Sequence, residues 1–272
     1  MSTEAPRSPA LYRLLAWLSP AFPIGAFSYS HGLEAAVADG AVGDRAGLQG
    51  WIAALVAHGS GRVDADILRD AYRAAAAGDT AALEAANRRG AAYRATAELA
   101  LESAQQGAAF LKTFVAAWAD PHPNPDPPPP AGEGQDTAPS ANSSPFLWES
   151  AVSAILNPPP QAGEGKAGAA FAESACHAAV FGAVAARAGI TLEDALTGYL
   201  QAFAGNFVSA GLRLGVIGQT DGQRILAALE PVVARAAAAA TSRDPADFGA
   251  ATFAADLASM AHETQYSRLF RS

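Results

Sequence analysis

Apolar positions along this chain recur at helical spacing and nowhere alternate at period two for the length of a strand. Leu11, Leu14, Leu15 and Leu18 fall at i, i+3, i+4 and i+7, one face of a helix that ends at Pro20. Ser28 or Ser30 caps a helix through Leu33 to about Asp39, where Gly40 and Gly43 break it. Asp44 caps the next, Arg45 to about His58, whose apolar side carries Leu48, Trp51, Ile52, Leu55 and Val56. Gly59 and Gly61 stop that helix, Asp64 opens another to Ala77, and Gly78 to Thr80 reads as a C-cap followed by an N-cap for Ala81 to Arg89. Ala91 to Trp118 is expected to be one helix, with Leu99, Phe110, Leu111, Phe114 and Trp118 among its apolar positions.

At Asp120 the composition changes. Residues 121–168 hold most of the prolines and an imperfect repeat, PPPPAGEG at 127–134 and PPPQAGEG at 158–165. Such a segment has little to bury in a core and reads as a low-complexity insertion or linker, within which Phe146 to Leu156 is a candidate short helix. Helix resumes near Ala169 and runs to Ala188, stopped by Gly189. Thr191 with Asp194 starts a helix to about Leu214, and Thr220 with Gln223 starts one through Ile225, Leu229 and Val233 to the alanine run at 236–240. Pro231 implies a kink or a restart there. A last helix spans roughly Phe253 to Gln265. The expected class is all-α, a single multi-helix domain over 1–272 interrupted by the proline-rich insertion.

Between the first two helices, Leu18 to Glu34 cannot be regular. Pro20 and Pro23 remove donors and hold the chain extended to about Ser28, while Gly25 adds freedom. Ala21, Phe22, Ile24, Ala26 and Phe27 would then form an exposed apolar patch unless the core or a partner covers them.

Half of the 272 residues are hydrophobic, enough for a sizeable core, and the net charge of -8 argues against a nucleic-acid partner. The single Cys176 excludes an intramolecular disulfide and a cysteine zinc site, which fits a reducing compartment. The first twenty residues lack the pattern of a signal peptide, and the longest uncharged run, Ala195 to Leu212, carries polar residues and three glycines and reads as a core helix. No membrane span is expected, and the location is expected to be cytoplasmic.

Ser28, His31 and Glu34 share helical spacing, but a nucleophile needs a base and an oxyanion hole, and there is no G-x-S-x-G elbow. A cap and a helix face explain them better. Cys176 beside His177 could ligate a metal, yet neighbours on a helix diverge by about 100° and rarely chelate together. Gly215, Gly218 and Gly222 lack the G-K-[ST] of a phosphate loop. Neither a catalytic nor a metal site is expected.

Three blocks carry a family resemblance. P-x-x-P-[IV]-G-[AG]-F-S-Y-S-x-G-L-E, read at Pro20 to Glu34, resembles the N-terminal signature of the urease accessory protein UreF family; RLGVIGQTDGQRIL, Arg213 to Leu226, and DLASMAHETQYSRLFRS, Asp256 to Ser272, resemble its later connection and its tail. The proline-rich stretch has no counterpart in that pattern. The resemblance implies a non-enzymatic helical scaffold that binds UreD (UreH), dimerises as that pair, and recruits the GTPase UreG, so that nickel reaches apo-urease. It implies no stably bound cofactor, nickel being handled by the assembled complex.

The resemblance also implies partner-binding residues. In the signature loop they are Pro23, Gly25, Phe27, Ser28, Tyr29 and Glu34, for which a fold-defining and a partner-presenting role both stand. In the connection they are Gln219, Thr220 and Asp221, and in the tail Glu263, Gln265, Tyr266, Arg268, Leu269, Phe270 and Arg271. The tail keeps large apolar and cationic groups where termini seldom do, and Tyr and Arg are frequent interface anchors. The rival reading is a helical adaptor of another complex.

Overall fold

The protein is described from a computed structural model covering residues 8–23, 25, 28–118 and 175–272. The expected insertion at 121–168, the short helix at 146–156, the start of the helix at 169–174 and Phe27 lie outside the described residues. Among the described residues every regular element is helical: α1 Ser8–Trp17, α2 Leu33–Ala38, α3 Arg45–His58, α4 Ser60–Ala77, α5 Thr80–Ala92, α6 Ala97–Trp118, α7 His177–Arg187, α8 Leu192–Arg213, α9 Gln219–Ser242 and α10 Phe253–Glu263, with a 3-10 turn at Pro245–Asp247.

Several boundaries follow the expected caps. The Asp44 carboxylate accepts from the Gly47 amide at 2.8 Å, Asp79 accepts from the Ala82 amide at 2.9 Å, and Thr191 accepts from the Asp194 amide at 3.1 Å. Others differ. Only Gly59 interrupts the chain between α3 and α4; Gly61 lies inside α4, and Asp64 is a buried residue of that helix rather than its cap. The expected helix over 91–118 is broken between Ala92 and Ala97, where Tyr93 turns out of the helical region and the Thr96 hydroxyl accepts from the Leu99 amide. α9 begins at Gln219 behind Gly218 with no side-chain cap, so Thr220 and Gln223 do not form the expected pair. It also runs unbroken through Pro231, whose ring sits on the exposed side.

α4 is the central helix, in contact with α3, α5, α7, α8 and α9. Its Ile67 and Leu68 are fully buried, and Gly182 on α7 lets the two backbones meet, since a Cβ there would lie 3.1 Å from Leu68 Cα. α1 turns differently from its leucine spacing. Leu14 and Trp17 face inward while Leu11 and Leu15 are exposed, because the larger indole of Trp17 packs edge-on against Phe114 with ring centres 5.5 Å apart.

A buried ionic cluster ties α9 to α4. Asp66 accepts from Arg243 at 2.6 Å and from Arg69 at 3.3 Å, and Arg69 also donates to the Ala240 carbonyl at 2.7 Å. The uncharged run at 195–212 lies within α8, which buries Leu196, Leu200, Phe203 and Phe207 in the core. Among the described residues α9 alone is long and apolar enough to cross a membrane by length and composition; it packs Ile225, Leu229 and Val233 on the same core.

Candidate functional site

The loop after α1 and the tail after α10, 242 positions apart at Ser30 and Ser272, are joined by hydrogen bonds. The Ser30 amide and hydroxyl both donate to the Ser272 carbonyl at 2.6 Å, and the Arg271 amide donates to the Ser28 carbonyl at 2.8 Å. Glu34, buried in the first turn of α2, accepts from the Leu269 amide at 2.6 Å and from the Phe270 amide at 2.9 Å. A carboxylate is an acceptor only, so it matches a bend that presents two successive N–H groups. The Phe270 ring is buried, with the Arg213 guanidinium 4.5 Å from its centre. Residues of all three family-like blocks therefore meet in one place.

Local sequence explains how α2 reaches this junction. His31 and Gly32 both take positive φ, 52° and 78°, and turn the chain sharply into α2. A Cβ on Gly32 would stand 2.5 Å from the Ser259 amide nitrogen of α10, so the glycine also permits close contact between the loop and that helix. The Ser30 hydroxyl accepts from the Glu34 amide at 3.3 Å, which realises the expected capping by Ser30, although Gly32 holds the cap position itself.

Two histidines sit among glutamates at this junction. His262, fully buried on α10, has its Nε2 3.2 Å from Glu34 and its Nδ1 2.8 Å from Glu98. A neutral imidazole carries one N–H and can donate to only one of these carboxylates; a protonated ring donates to both. Glu98 also pairs with Arg268. His31 Nε2 lies 2.8 Å from Glu102, which in turn accepts from the Ser272 hydroxyl at 2.7 Å and from Gln106 at 2.7 Å. Burial alone would lower the His31 pKa, but the charge and hydrogen bond of Glu102, with the charge of Asp64, outweigh it and raise it.

Beneath the junction is an open cavity of about 430 Å³ whose wall includes His31, Asp64, Arg94, Glu102, His177 and Tyr199. Arg94 pairs with Asp64 at 2.8 Å and donates to the Cys176 sulfur at 3.1 Å. The Tyr199 hydroxyl donates to Asp64 at 3.0 Å and lies 3.4 Å from His177 Nδ1. Burial pushes the His177 pKa down to about 4. Among the described residues no group of three or more His, Cys, Asp or Glu side chains is placed to hold a metal ion.

The expected partner residues divide into two sets. Glu34 and Phe270 are buried and serve the internal junction. Pro23, Gly25, Ser28 and Tyr29 are half-buried, and the Tyr29 hydroxyl donates to Gln105 at 3.1 Å. Tyr266 is fully exposed and Leu269 is 51 % exposed; Glu263, Arg268 and Arg271 are also outward, and Gln265 is half-buried. Gln219 and Thr220 are exposed at the start of α9, and Asp221 bonds Arg224 at 3.0 Å beside Arg45. Ser28, His31 and Glu34 do not form a hydrolytic group: His31 faces Glu102 and Glu34 faces the tail. Sequence reading did not single out His262, Glu98 or Glu102, because their partners are more than 60 residues away in the chain.

α10 adds Phe253, Leu257 and Met260, all exposed, at i, i+4 and i+7. Large apolar side chains are thus exposed on both the last helix and the tail. Comparison with known proteins gives the chain a family. A model described as UreF matches residues 42–230. A urease accessory protein UreF of a Bradyrhizobium species (strain BTAi1) is 41 % identical over 264 residues, covering 97 % of this chain and 92 % of its own length. Those of Rhodopseudomonas palustris (strain TIE-1) and Granulibacter bethesdensis are 42 % and 41 % identical, covering 98 % and 99 % of this chain and 95 % and 97 % of their own. With the helical fold, the three blocks and identity over nearly its whole length, the chain belongs to the urease accessory protein UreF family.

Proposed function

We propose that this chain is a non-enzymatic scaffold of urease maturation. It binds UreD (UreH), pairs with a second such complex as a dimer of the two proteins, and recruits the GTPase UreG, so that GTP-dependent transfer delivers nickel to apo-urease. The carrying observation is the junction held by Glu34, which fixes the tail against α2 and α10 and leaves Tyr266, Leu269, Leu257 and Phe253 outward as a ready apolar surface. Exposed large apolar groups backed by a rigid, hydrogen-bonded frame suit a protein interface. Nickel is cargo of the assembled complex, and no cofactor is assigned to the chain. The site of action is the cytoplasm, with neither nucleic acid nor membrane as a partner.

The test is co-purification of the full chain with the UreD and UreG proteins of the same organism, coupled to nickel-dependent urease activation with and without it. A stable complex together with loss of activation on omission supports the scaffold. Unchanged activation and no complex would leave a helical adaptor of some other assembly.

A further inference from the structure

His262 sits fully buried on α10 with both ring nitrogens against carboxylates, Nε2 3.2 Å from Glu34 and Nδ1 2.8 Å from Glu98. Two such contacts need two protons among the three groups. Neither carboxylate is placed to supply the second. Glu34 already accepts from the Leu269 and Phe270 amides with its two oxygens, Glu98 pairs with Arg268, and donors of this kind favour the ionised carboxyl. Both protons therefore belong to the ring, an imidazolium that bridges α2 and α6. The other charges nearby are engaged elsewhere: Glu102, one turn further along α6, with His31 and the Ser272 hydroxyl, and Glu263 of α10 with the Glu98 amide. With a protonated ring the set of Glu34, Glu98, Arg268 and His262 is neutral; with a neutral ring it holds one uncompensated negative charge at a buried place.

Loss of a proton acts on the tail directly. The Glu34 contact is the longer of the two, so a neutral ring keeps its N–H on Glu98 and turns the Nε2 lone pair towards Glu34 Oε2, the oxygen that also holds the Phe270 amide. We propose that His262 is a proton-operated latch: its imidazolium clamps Glu34 and Glu98 and so holds the tail against α2 and α10, and its deprotonation as pH rises loosens Leu269 and Phe270 while the helical core stays folded. The latch is shut while the ring carries both protons and opens as the second is lost. Tyr266 and Leu269 lie on the same tail, so an open latch also weakens the outward apolar surface, a consequence that rests on the scaffold reading above.

The sample is the full chain alone, with ¹⁵N-labelled histidine, compared at about pH 6 and about pH 9. At the lower pH both ring nitrogens of His262 should carry protons and the Leu269 and Phe270 amides should be protected from exchange. At the higher pH the ring should be neutral, and protection of these two amides, corrected for intrinsic exchange, should fall about tenfold or more relative to the core amides of Leu68 and Leu200, as expected for the loss of one charged hydrogen bond. Glu98→Gln is the deciding variant. Its carboxamide can donate to Nδ1 and still accept from Arg268, so a neutral ring can donate Nε2–H to Glu34 and every group is satisfied. The tail should then stay protected to within about twofold across the same range. His31→Asn, which removes the other junction histidine and suits its positive φ, should leave the parent response in place. A bare ring nitrogen on His262 at the lower pH, tail protection that does not change with pH in the parent, an undiminished change in Glu98→Gln, or its disappearance in His31→Asn would each overturn the proposal. None of these readouts requires UreD or UreG, so failure of the scaffold reading would leave them unaffected.

Discussion

Glu34 concentrates more of the junction than any other side chain, since it holds two tail amides and faces His262. Charged hydrogen bonds contribute about 1.5–3 kcal/mol each, so Glu34→Gln, which keeps one acceptor, should cost about 2–3 kcal/mol in urea unfolding. It should also speed amide exchange at Leu269 and Phe270 ahead of the core. The half-buried His31 and the buried His177 set a pH dependence with two limbs. His31, its pKa raised, lends stability that is present below the ordinary histidine value and is lost as pH rises through the folded value. His177 is lowered to about 4, so the unfolded chain takes up its proton first and stability falls as pH drops from about 6.5 towards 4, by on the order of 3 kcal/mol. Stability should therefore peak near pH 6.5; His177→Phe should flatten the acid limb relative to the parent and His31→Phe the alkaline one, as read from unfolding midpoints across pH. Sequence spacing placed Glu34 in a helix and in a family motif, but its work depends on Leu269 and Phe270, more than 230 positions on. Local pattern carries no signal for such pairing.

At the scale of elements, the caps show what local chemistry can and cannot specify. Asp44 and Thr191 are legible because each meets an amide three residues ahead. Asp64 reads as the same signal and is instead the partner of Arg94 and Tyr199, both brought to it by tertiary packing. The leucines of α1 show the same override, with Trp17 setting the rotation of the helix and leaving Leu11 and Leu15 outside. Pro231 implies a kink or a restart in α9; the helix continues without a restart, with the proline exposed and Ile225, Leu229 and Val233 packed in the core. Pro231→Ala should then restore a backbone bond without losing core contact and raise stability by about 1–3 kcal/mol, measured as a higher denaturation midpoint. The Asp66 cluster works in the opposite sense. Asp66→Ala leaves Arg243 without its carboxylate partner while Arg69 keeps Asp70 at 2.7 Å, and should cost about 3 kcal/mol, again by urea unfolding, with the C-terminal half of α9 exchanging first.

For the molecule as a whole, helical periodicity and the absence of alternation were sufficient for the class, and three short blocks for the family. What they could not convey is that the blocks converge: Arg213 stacks on Phe270, which hangs on Glu34. Folding the tail inward changes which residues are free to recognise a partner. Phe270 and Ser272 are buried, so truncating the tail would damage the frame, whereas Tyr266 and Leu257 can be altered on its surface. We read residues 1–272 as one domain and 121–168 as an insertion into it; deleting Pro121 to Gly165 should leave the unfolding midpoint and co-purification with UreD unchanged, and a chain that no longer folds would refute that reading. The most direct measurement is UreD binding by the double variant Leu257→Asp, Tyr266→Ala, compared with the parent at matched unfolding midpoints. The face formed by α10 and the tail predicts at least a tenfold loss of affinity with the fold intact. Equal affinity would contradict it and move the interface elsewhere.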